Sequence, residues 1–203
     1  MTEEMATEIG DPDVQLMLRF KDGDAQAFEQ LFVRHTRAMI NFAYRFVRNR
    51  EAAEELAQEV FLRVYEAAAG YQAQARFTTW LYRIATNVCL NEVRKPCYRE
   101  GHFPAKSDPP RDSDARLSDR SVPMEPDRNL ERQAIARALR QALDQIPEKQ
   151  RVAFFLNKYQ ELSYAEVAEV MKLSEKAVKS LIHRAKETLA ERLKPLLPEL
   201  WKP

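Results

Sequence analysis

Trp80, Arg83, Asn87 and Arg94 follow one another at intervals of three, four and seven residues. A helix turning about 100° per residue gathers them on one side. Together they offer an aromatic face, two cations and a side-chain amide. Such groups hold unpaired bases and their phosphates, because every base has a face to stack on and a charged backbone beside it. A solvated helix face with a half-buried tryptophan would look the same. A second set lies upstream, where Glu51, Glu55, Gln58, Glu59 and Tyr65 surround Leu62. A lone exposed leucine is ordinary, but an apolar anchor ringed by charge is also how a partner-binding face is built. A third set, Lys176, Lys179, Ser180, His183 and Arg184, collects on one side of a C-terminal helix and suits the phosphates and base edges of a duplex.

Each set needs a helix with an opposite, apolar side. The stretch from Glu51 to Lys95 reads as two amphipathic helices broken at Gly70. The first turns Ala53, Leu56, Ala57, Val60 and Val64 inward, a stripe wide enough for burial. The second, from about Phe77 to Lys95, turns in Phe77, Leu81, Ile84 and Val88. Upstream, Asp11 to Phe20 forms a short helix with Val14, Leu16, Met17 and Leu18 as its apolar content. From Asp24, an N-cap residue type, a long helix carries Phe28, Leu31, Phe32, Met39, Phe42, Ala43 and Phe46 inward as a wall for the other two. His35, among these apolar positions, reads as a surface or hydrogen-bonded residue rather than a metal ligand.

The third set sits in SYAEVAEVMKLSEKAVKSLIHRAKETLAERL. A helix ending before Pro147 and another from Glu148, carrying Val152, Phe154, Phe155 and Leu156, precede it. Ser163 and Glu166 have the spacing of a capping box. Ala165, Val167, Ala168 and Val170 make a short packed helix, Lys172 and Leu173 the turn, and Ser174 the next cap. Val178, Ile182, Ala185, Leu189 and Leu193 then face the core, with Leu181 at the margin. That order is a helix-turn-helix, whose second helix enters a major groove. Residues 172 to 194 hold 7 Lys+Arg against 3 Asp+Glu, net +4.

Between Pro96 and Asn129 the character changes, with Pro at 96, 104, 109, 110, 123 and 126 and little apolar content. Proline removes donors and stiffens the backbone, so these 34 residues form a linker. At up to about 3.3 Å per residue it spans on the order of 100 Å. The chain thus divides into a leader and short helix (1–23), a helical domain (24–95), the linker (96–129) and a helix-turn-helix domain (130–203).

Composition supports an all-α fold of two small helical domains joined by a flexible Pro-rich linker. The chain has 203 residues, 45% of them hydrophobic, and only four Gly, with Ala, Leu, Glu and Arg abundant. A net charge of +1 hides a division: residues 1 to 70 carry 8 Lys+Arg against 13 Asp+Glu, net −5, whereas 71 to 95 carry 4 against 1, net +3. An acidic stretch beside a basic one suggests two different partners for one domain. Two Cys, no apolar run of membrane-spanning length and no charged-then-apolar leader point to a reduced, cytoplasmic protein.

Cys89, Cys97 and His102 raise the question of zinc, but seven and four intervening residues match no common finger. No metal site is expected, nor any cofactor. No Gly-rich phosphate loop, nucleophile paired with a base, or paired carboxylates in an apolar setting occurs, so no catalytic residue and no small-molecule substrate are assigned.

The order of these elements resembles the extracytoplasmic-function group of bacterial sigma factors, in the sigma-70 family. AEELAQEVFLRVY is similar to that family's helix for docking on the clamp of core RNA polymerase. FTTWLYRIATNVCLNEVRK is similar to its helix for minus-ten recognition and strand opening, and LSEKAVKSLIHRAKETL to its minus-thirty-five reading helix. The resemblance covers about Phe28 to Lys95 and Asp127 to Lys194. It implies polymerase contacts from Glu55, Gln58, Glu59 and Leu62. It implies minus-ten contacts from Arg76, Phe77, Trp80, Arg83, Asn87 and Arg94, with Trp80, Asn87 and the loop around Arg76 receiving the non-template strand, including a flipped base. Minus-thirty-five contacts would come from Lys176, Lys179, Ser180, His183 and Arg184. Leu181 departs from the pattern, since many members have arginine there, so promoter preference does not carry over.

The expected function is therefore a sigma factor that brings core RNA polymerase to promoter DNA, as duplex and as non-template single strand, and opens it. An anti-sigma factor is the further partner that the resemblance implies, holding the protein inactive, in some cases at the inner membrane. The alternative is a helix-turn-helix repressor or activator acting as a dimer; the base-stacking face and the long linker speak against it. An adaptor that binds proteins through its acidic helix would show no dependence on DNA sequence.

Overall fold

The structure, a computed structural model, describes residues 10–95, 138–139, 141–143 and 145–194. The chain divides into two compact units, 1–109 and 110–203, and every regular element among the described residues is a helix. The expected linker, Cys97, His102 and most of the helix before Pro147 lie outside the described residues.

In the first unit, α1 spans Pro12–Lys21, α2 Ala25–Val47, α3 Arg50–Glu66 and α4 Phe77–Val93. Asp11 caps α1 by accepting from the Asp13 N–H, and Pro12 opens the helix with its φ already helical. Asp24 caps α2 by accepting from the Gln26 and Ala27 N–H groups. Its carboxyl is held below the usual carboxylate range, chiefly by the Arg19 guanidinium at 2.6 Å. Asn49 caps α3 through Ala52 N–H. The break at Gly70 takes the form of a short 3-10 turn, Ala68–Gly70, after α3 ends at Glu66.

The core of this unit lies between α2, α3 and α4, with α1 laid across α2 and α4. All five inward residues expected of α3 are buried. Phe61 is buried as well, because α3 packs on α2 over a wider arc than one stripe. In α2, Leu31, Met39, Phe42, Ala43 and Phe46 are buried, but Phe28 is half-buried and Phe32 is 37% exposed. The expectation for those two needs correction. They lie at the margin of the α2–α3 seam, where their rings meet the buried Phe61 at 6.4 and 4.8 Å and keep one side toward solvent.

Asp13 is a buried carboxylate on α1, paired with Arg34 and, at 2.8 Å, with His35 Nε2. His35 is thus a hydrogen-bonded residue whose ring also packs on Phe77 at 5.3 Å. A buried charge without partners would be strongly destabilising. This pairing fastens α1 to α2.

In the second unit, α5 spans Glu148–Tyr159, α6 Tyr164–Met171 and α7 Glu175–Leu193. Both halves of the capping box form: the Ser163 hydroxyl accepts from the Glu166 N–H, and the Glu166 carboxylate accepts from the Ser163 N–H at 2.8 Å. Lys172 adopts a left-handed conformation, φ 54°, and the Leu173 N–H closes on the Ala168 carbonyl at 2.9 Å. That geometry ends a helix and turns the chain sharply. Ser174 then caps α7 through the Ala177 N–H. Val152, Phe155, Leu156, Val167, Val170, Val178, Ile182, Ala185 and Leu189 form the core. Ala165 is exposed and Phe154 and Leu193 are half-buried, contrary to expectation. Ala165 lies on the solvent side of so short a helix, where only one stripe can reach the core.

Candidate nucleic-acid and partner interfaces

α4 is buried over most of its circumference: Phe77, Thr79, Leu81, Tyr82, Ala85, Thr86, Val88 and Cys89 are all inaccessible. Packing against three helices leaves one arc open, roughly 120° wide at 100° per residue. Asn87, Asn91 and Arg94 lie on this arc, with Trp80, Arg83, Ile84 and Leu90 half-buried along it; Asn87 and Asn91 are exposed. Ile84 corrects the expectation of a fourth inward residue, since it sits only about 40° from Trp80 on the wheel. Asn91 belongs to the open arc by the same spacing and was legible in the sequence.

Phe77 is buried, as its place in the inward stripe predicts, and it is the minus-ten contact implied for it by the resemblance that needs correction. Its side chain is 0% exposed, packed beneath His35 and Trp80. A fully enclosed ring cannot stack on a base without unpacking the unit, so Phe77 supports the face from below. Trp80 is held edge-on by Tyr71, ring centroids 4.9 Å apart, and tilted against Phe77 at 5.9 Å. Its indole is thereby fixed in direction while part of it stays at the surface. Arg76 is exposed at the start of α4, where its side chain makes no cap, and Gln72 and Gln74 are exposed on the preceding loop.

The outer face of α3 carries Leu62, 53% exposed, between exposed Glu55 and Gln58 and half-exposed Glu59. Glu59 is bonded to Arg63 Nε at 2.8 Å. Tyr65, 58% exposed, closes an aromatic cluster with Phe20 of α1 and Phe28 of α2, at 5.2 and 5.5 Å. Beside it a shallow groove of about 170 Å³ runs between α2 and α3, lined by Phe32, Thr36, Ile40, Gln58 and Phe61 among others. The apolar surface is thus larger than Leu62 alone, and besides Tyr65 and Phe61 of α3 the residues that extend it come from α1 and α2. Their ring contacts join residues up to 45 positions apart, and no spacing rule in the sequence points to them.

On α7, Lys176, Lys179, Ser180, His183 and Arg184 are all exposed and share one side. Lys179 Nζ bonds Glu175 Oε1 at 2.7 Å and lies 5.6 Å from the centre of the Tyr164 ring. The Glu175 hydrogen bond, reinforced by its charge, raises the lysine above its ordinary value. His183 Nε2 lies 3.2 Å from Glu187 Oε1. Glu175 was not among the expected site residues, although its four-residue spacing from Lys179 is the common helical ion-pair interval. All three faces present side chains suited to binding and orienting a partner. Among the described residues no group of three or more His, Cys, Asp or Glu side chains is placed to hold a metal ion, and no helix is long and apolar enough to cross a membrane. Cys89 is enclosed in the core, where burial pushes its thiol up to about 12.

Two family models match the chain: Sigma-70 region 2 over residues 31–96, and Sigma-70, region 4 over residues 136–189. The chain is 33% identical to RNA polymerase sigma-H factor of Pseudomonas aeruginosa over 196 residues, covering 92% of this chain and 96% of that protein. It is 30% identical to the ECF RNA polymerase sigma factor SigW of Bacillus subtilis, covering 87% and 94%. It is also 30% identical to the ECF RNA polymerase sigma-E factor of Escherichia coli, covering 91% and 96%. Among solved structures, CnrH in complex with the cytosolic domain of CnrY has a TM-score of 0.65 at 23% identity, covering 90% of this chain and 97% of that one. The sigma factor RpoE in complex with the anti-sigma factor NepR, from Bartonella quintana, has a TM-score of 0.59 at 24% identity, covering 84% and 98%. At those identities the structures speak for the fold, and the full-length sequence relatives for descent. With one regional model falling on the unit that carries the Trp80 and Leu62 faces and the other on the helix-turn-helix, the chain belongs to the sigma-70 family, in its extracytoplasmic-function group.

Proposed function

We propose that this protein works as a sigma factor through three separate faces. Leu62 with Glu55, Gln58 and Glu59 docks on core RNA polymerase. Trp80, Asn87 and Arg94, flanked by Arg83 and Arg76, receive the non-template strand of the minus-ten element. Lys176, Lys179, Ser180, His183 and Arg184 hold the minus-thirty-five duplex. The observation that carries the reading is the indole of Trp80, braced by Tyr71 and Phe77 yet half-exposed on the open arc of α4, with Asn87 on the same arc. A preset aromatic ring on the same arc as an amide suits an unstacked base.

In this reading residues 24–95 dock and open the promoter, residues 130–203 read the upstream element, and 96–129 spans between them. The chemistry is binding and strand separation, with no catalytic step of its own, and the protein acts in the cytoplasm. Separating stacked pairs costs roughly 1.4 kcal/mol per step, so polymerase shares the work. An anti-sigma factor is the further partner, by analogy with the NepR bound to RpoE of Bartonella quintana.

Run-off transcription with core polymerase and a genomic fragment library tests this directly. The expected result is initiation at a limited set of promoters sharing two elements, dependent on the protein. Tight sequence-specific duplex binding by the protein alone, with no transcript from any fragment, would favour the dimeric repressor instead.

A further inference from the structure

Two hydrogen bonds tie opposite ends of α1 to opposite ends of the loop 71–76 that leads into α4. At the C-terminal end, Lys21 Nζ donates to the Tyr71 carbonyl at 2.8 Å. At the N-terminal end, Asp11 Oδ2 accepts from the Phe77 N–H at 3.2 Å, across 66 positions of sequence, while its Oδ1 accepts from the Asp13 N–H at 2.9 Å. The first amides of a helix need an outside acceptor. Arg76, at the N-cap position of α4, makes no side-chain cap, and Asp11 takes that place from another helix. One carboxylate therefore starts both α1 and α4.

Between those two bonds the loop glutamines bond each other. The Gln74 N–H donates to the Gln72 carbonyl at 2.9 Å and the Gln74 amide to the Gln72 side chain at 2.7 Å, both across two positions. Gln72, Gln74 and Arg76 are exposed, and Ala73 and Ala75 are half-buried and small. Of residues 71–76 only Tyr71 is buried in the core, and it is the ring that braces Trp80. Anchoring of α1 itself is strong: Val14 and Met17 are fully buried, and Asp13 is paired with Arg34 and His35. A rigid rod of about 15 Å, ten residues at 1.5 Å each, thus spans a largely exposed loop.

We infer that α1 is a strap that presets the strand-capturing face, with Asp11 and Lys21 as positioning residues that touch no DNA. Lys21 fixes where the loop leaves Tyr71, and hence the brace behind Trp80. Asp11 fixes where α4 begins, and hence the direction of Arg76 and Trp80. A face preset in this way loses less conformational freedom when it captures a strand. The inference rests on the proposed minus-ten role of Trp80 and Asn87.

The test uses the full chain and the substitutions Lys21→Met, Asp11→Ala and Asp11→Asn, with Asn87→Ala as a control on the face itself. Amide hydrogen exchange of the free protein reads the loop directly. Lys21→Met and Asp11→Ala are expected to speed exchange at 72–77 by roughly two- to ten-fold, the equivalent of one net hydrogen bond, with the amides of α2 and α3 unchanged. With core polymerase and a promoter, permanganate reactivity of minus-ten thymines is expected to fall by a similar factor, while polymerase affinity and binding to minus-thirty-five duplex stay within about two-fold. Asp11→Asn keeps an acceptor oxygen and is expected to recover most of the loss, whereas a general stability defect would follow the melting temperature. Lys21→Met leaves both caps intact and carries the test if Asp11→Ala unfolds. Unchanged exchange at 72–77 in Lys21→Met overturns the strap. So does faster exchange with undiminished permanganate reactivity while Asn87→Ala is defective. If Asn87→Ala is also without effect, the strand-capturing reading of the face fails and the inference falls with it.

Discussion

The Tyr71 ring meets the Trp80 indole edge-on at 4.9 Å, and Tyr71 is buried while Trp80 is only half so. One indole therefore serves the core and the surface together, and substitutions at Trp80 and Asn87 should separate the two contributions. Trp80→Ala is expected to lose about 2 kcal/mol of stability, less than a fully enclosed aromatic, and also permanganate reactivity of minus-ten thymines. Asn87→Ala, at an exposed position, should stay within about 0.5 kcal/mol of the parent in a thermal melt yet show the same loss of reactivity. Full reactivity in Asn87→Ala would remove the amide from the strand-capturing face.

Leu62→Asp places a charge where an apolar anchor is proposed to be desolvated. A loss on the order of 2 kcal/mol or more in affinity for core polymerase is expected, the size of a binding hot spot. Leu62 lies outside the buried stripe of α3, so the helical signal in circular dichroism should be unchanged. Equal affinity of the two proteins would end the docking assignment.

The pairing with Glu175 sets Lys179 apart from Arg184 on the face proposed to hold the minus-thirty-five duplex. Arg184→Ala and Lys179→Ala should each weaken minus-thirty-five binding and lower the salt slope by about 0.9 for each phosphate no longer neutralised. Neither should move the boundaries of the opened region. Glu175→Gln releases Lys179 and removes a negative charge facing the phosphates, so affinity should rise by up to about five-fold at low salt, within the range of an exposed ion pair. A salt titration of duplex binding by the three variants decides this; weaker binding by Glu175→Gln would show that the carboxylate itself contacts DNA.

Cys89 is held neutral by burial, its thiol pushed from the ordinary value of 9.0 to about 12. The protonated thiol is the form the fold accepts, so this burial favours the native state least as pH climbs from 9 toward 12, where the unfolded chain ionises and the folded one does not. In a Cys97→Ser background, iodoacetamide at pH 9.0, the ordinary thiol value, should therefore label Cys89 only as fast as the first unit opens, and added urea should speed the reaction. Rapid labelling of the native protein would contradict the enclosed position.

The sequence by itself determined the helices, their caps and most inward positions. Asp24, Ser163 with Glu166 and Ser174 act within three residues of themselves, and the stripes of α3 and α7 repeat at helical spacing, so both are local properties. The helix-turn-helix was legible for the same reason, since its cap, its turn at Lys172 and its cationic side all lie within one continuous stretch. What tertiary structure decided is which helix is surrounded. α4 lies against α1, α2 and α3, so a second and third arc of it are covered. Thr79, Tyr82, Ala85, Thr86 and Cys89, all outside the inward stripe that spacing marks, are therefore enclosed as well. Periodicity gives one preferred direction per helix and cannot count its neighbours. Likewise, Asp11 capping α4 from 66 positions away and Phe20, Phe28 and Tyr65 meeting at one corner depend on how the chain returns on itself. Long-range packing alone brings those groups together.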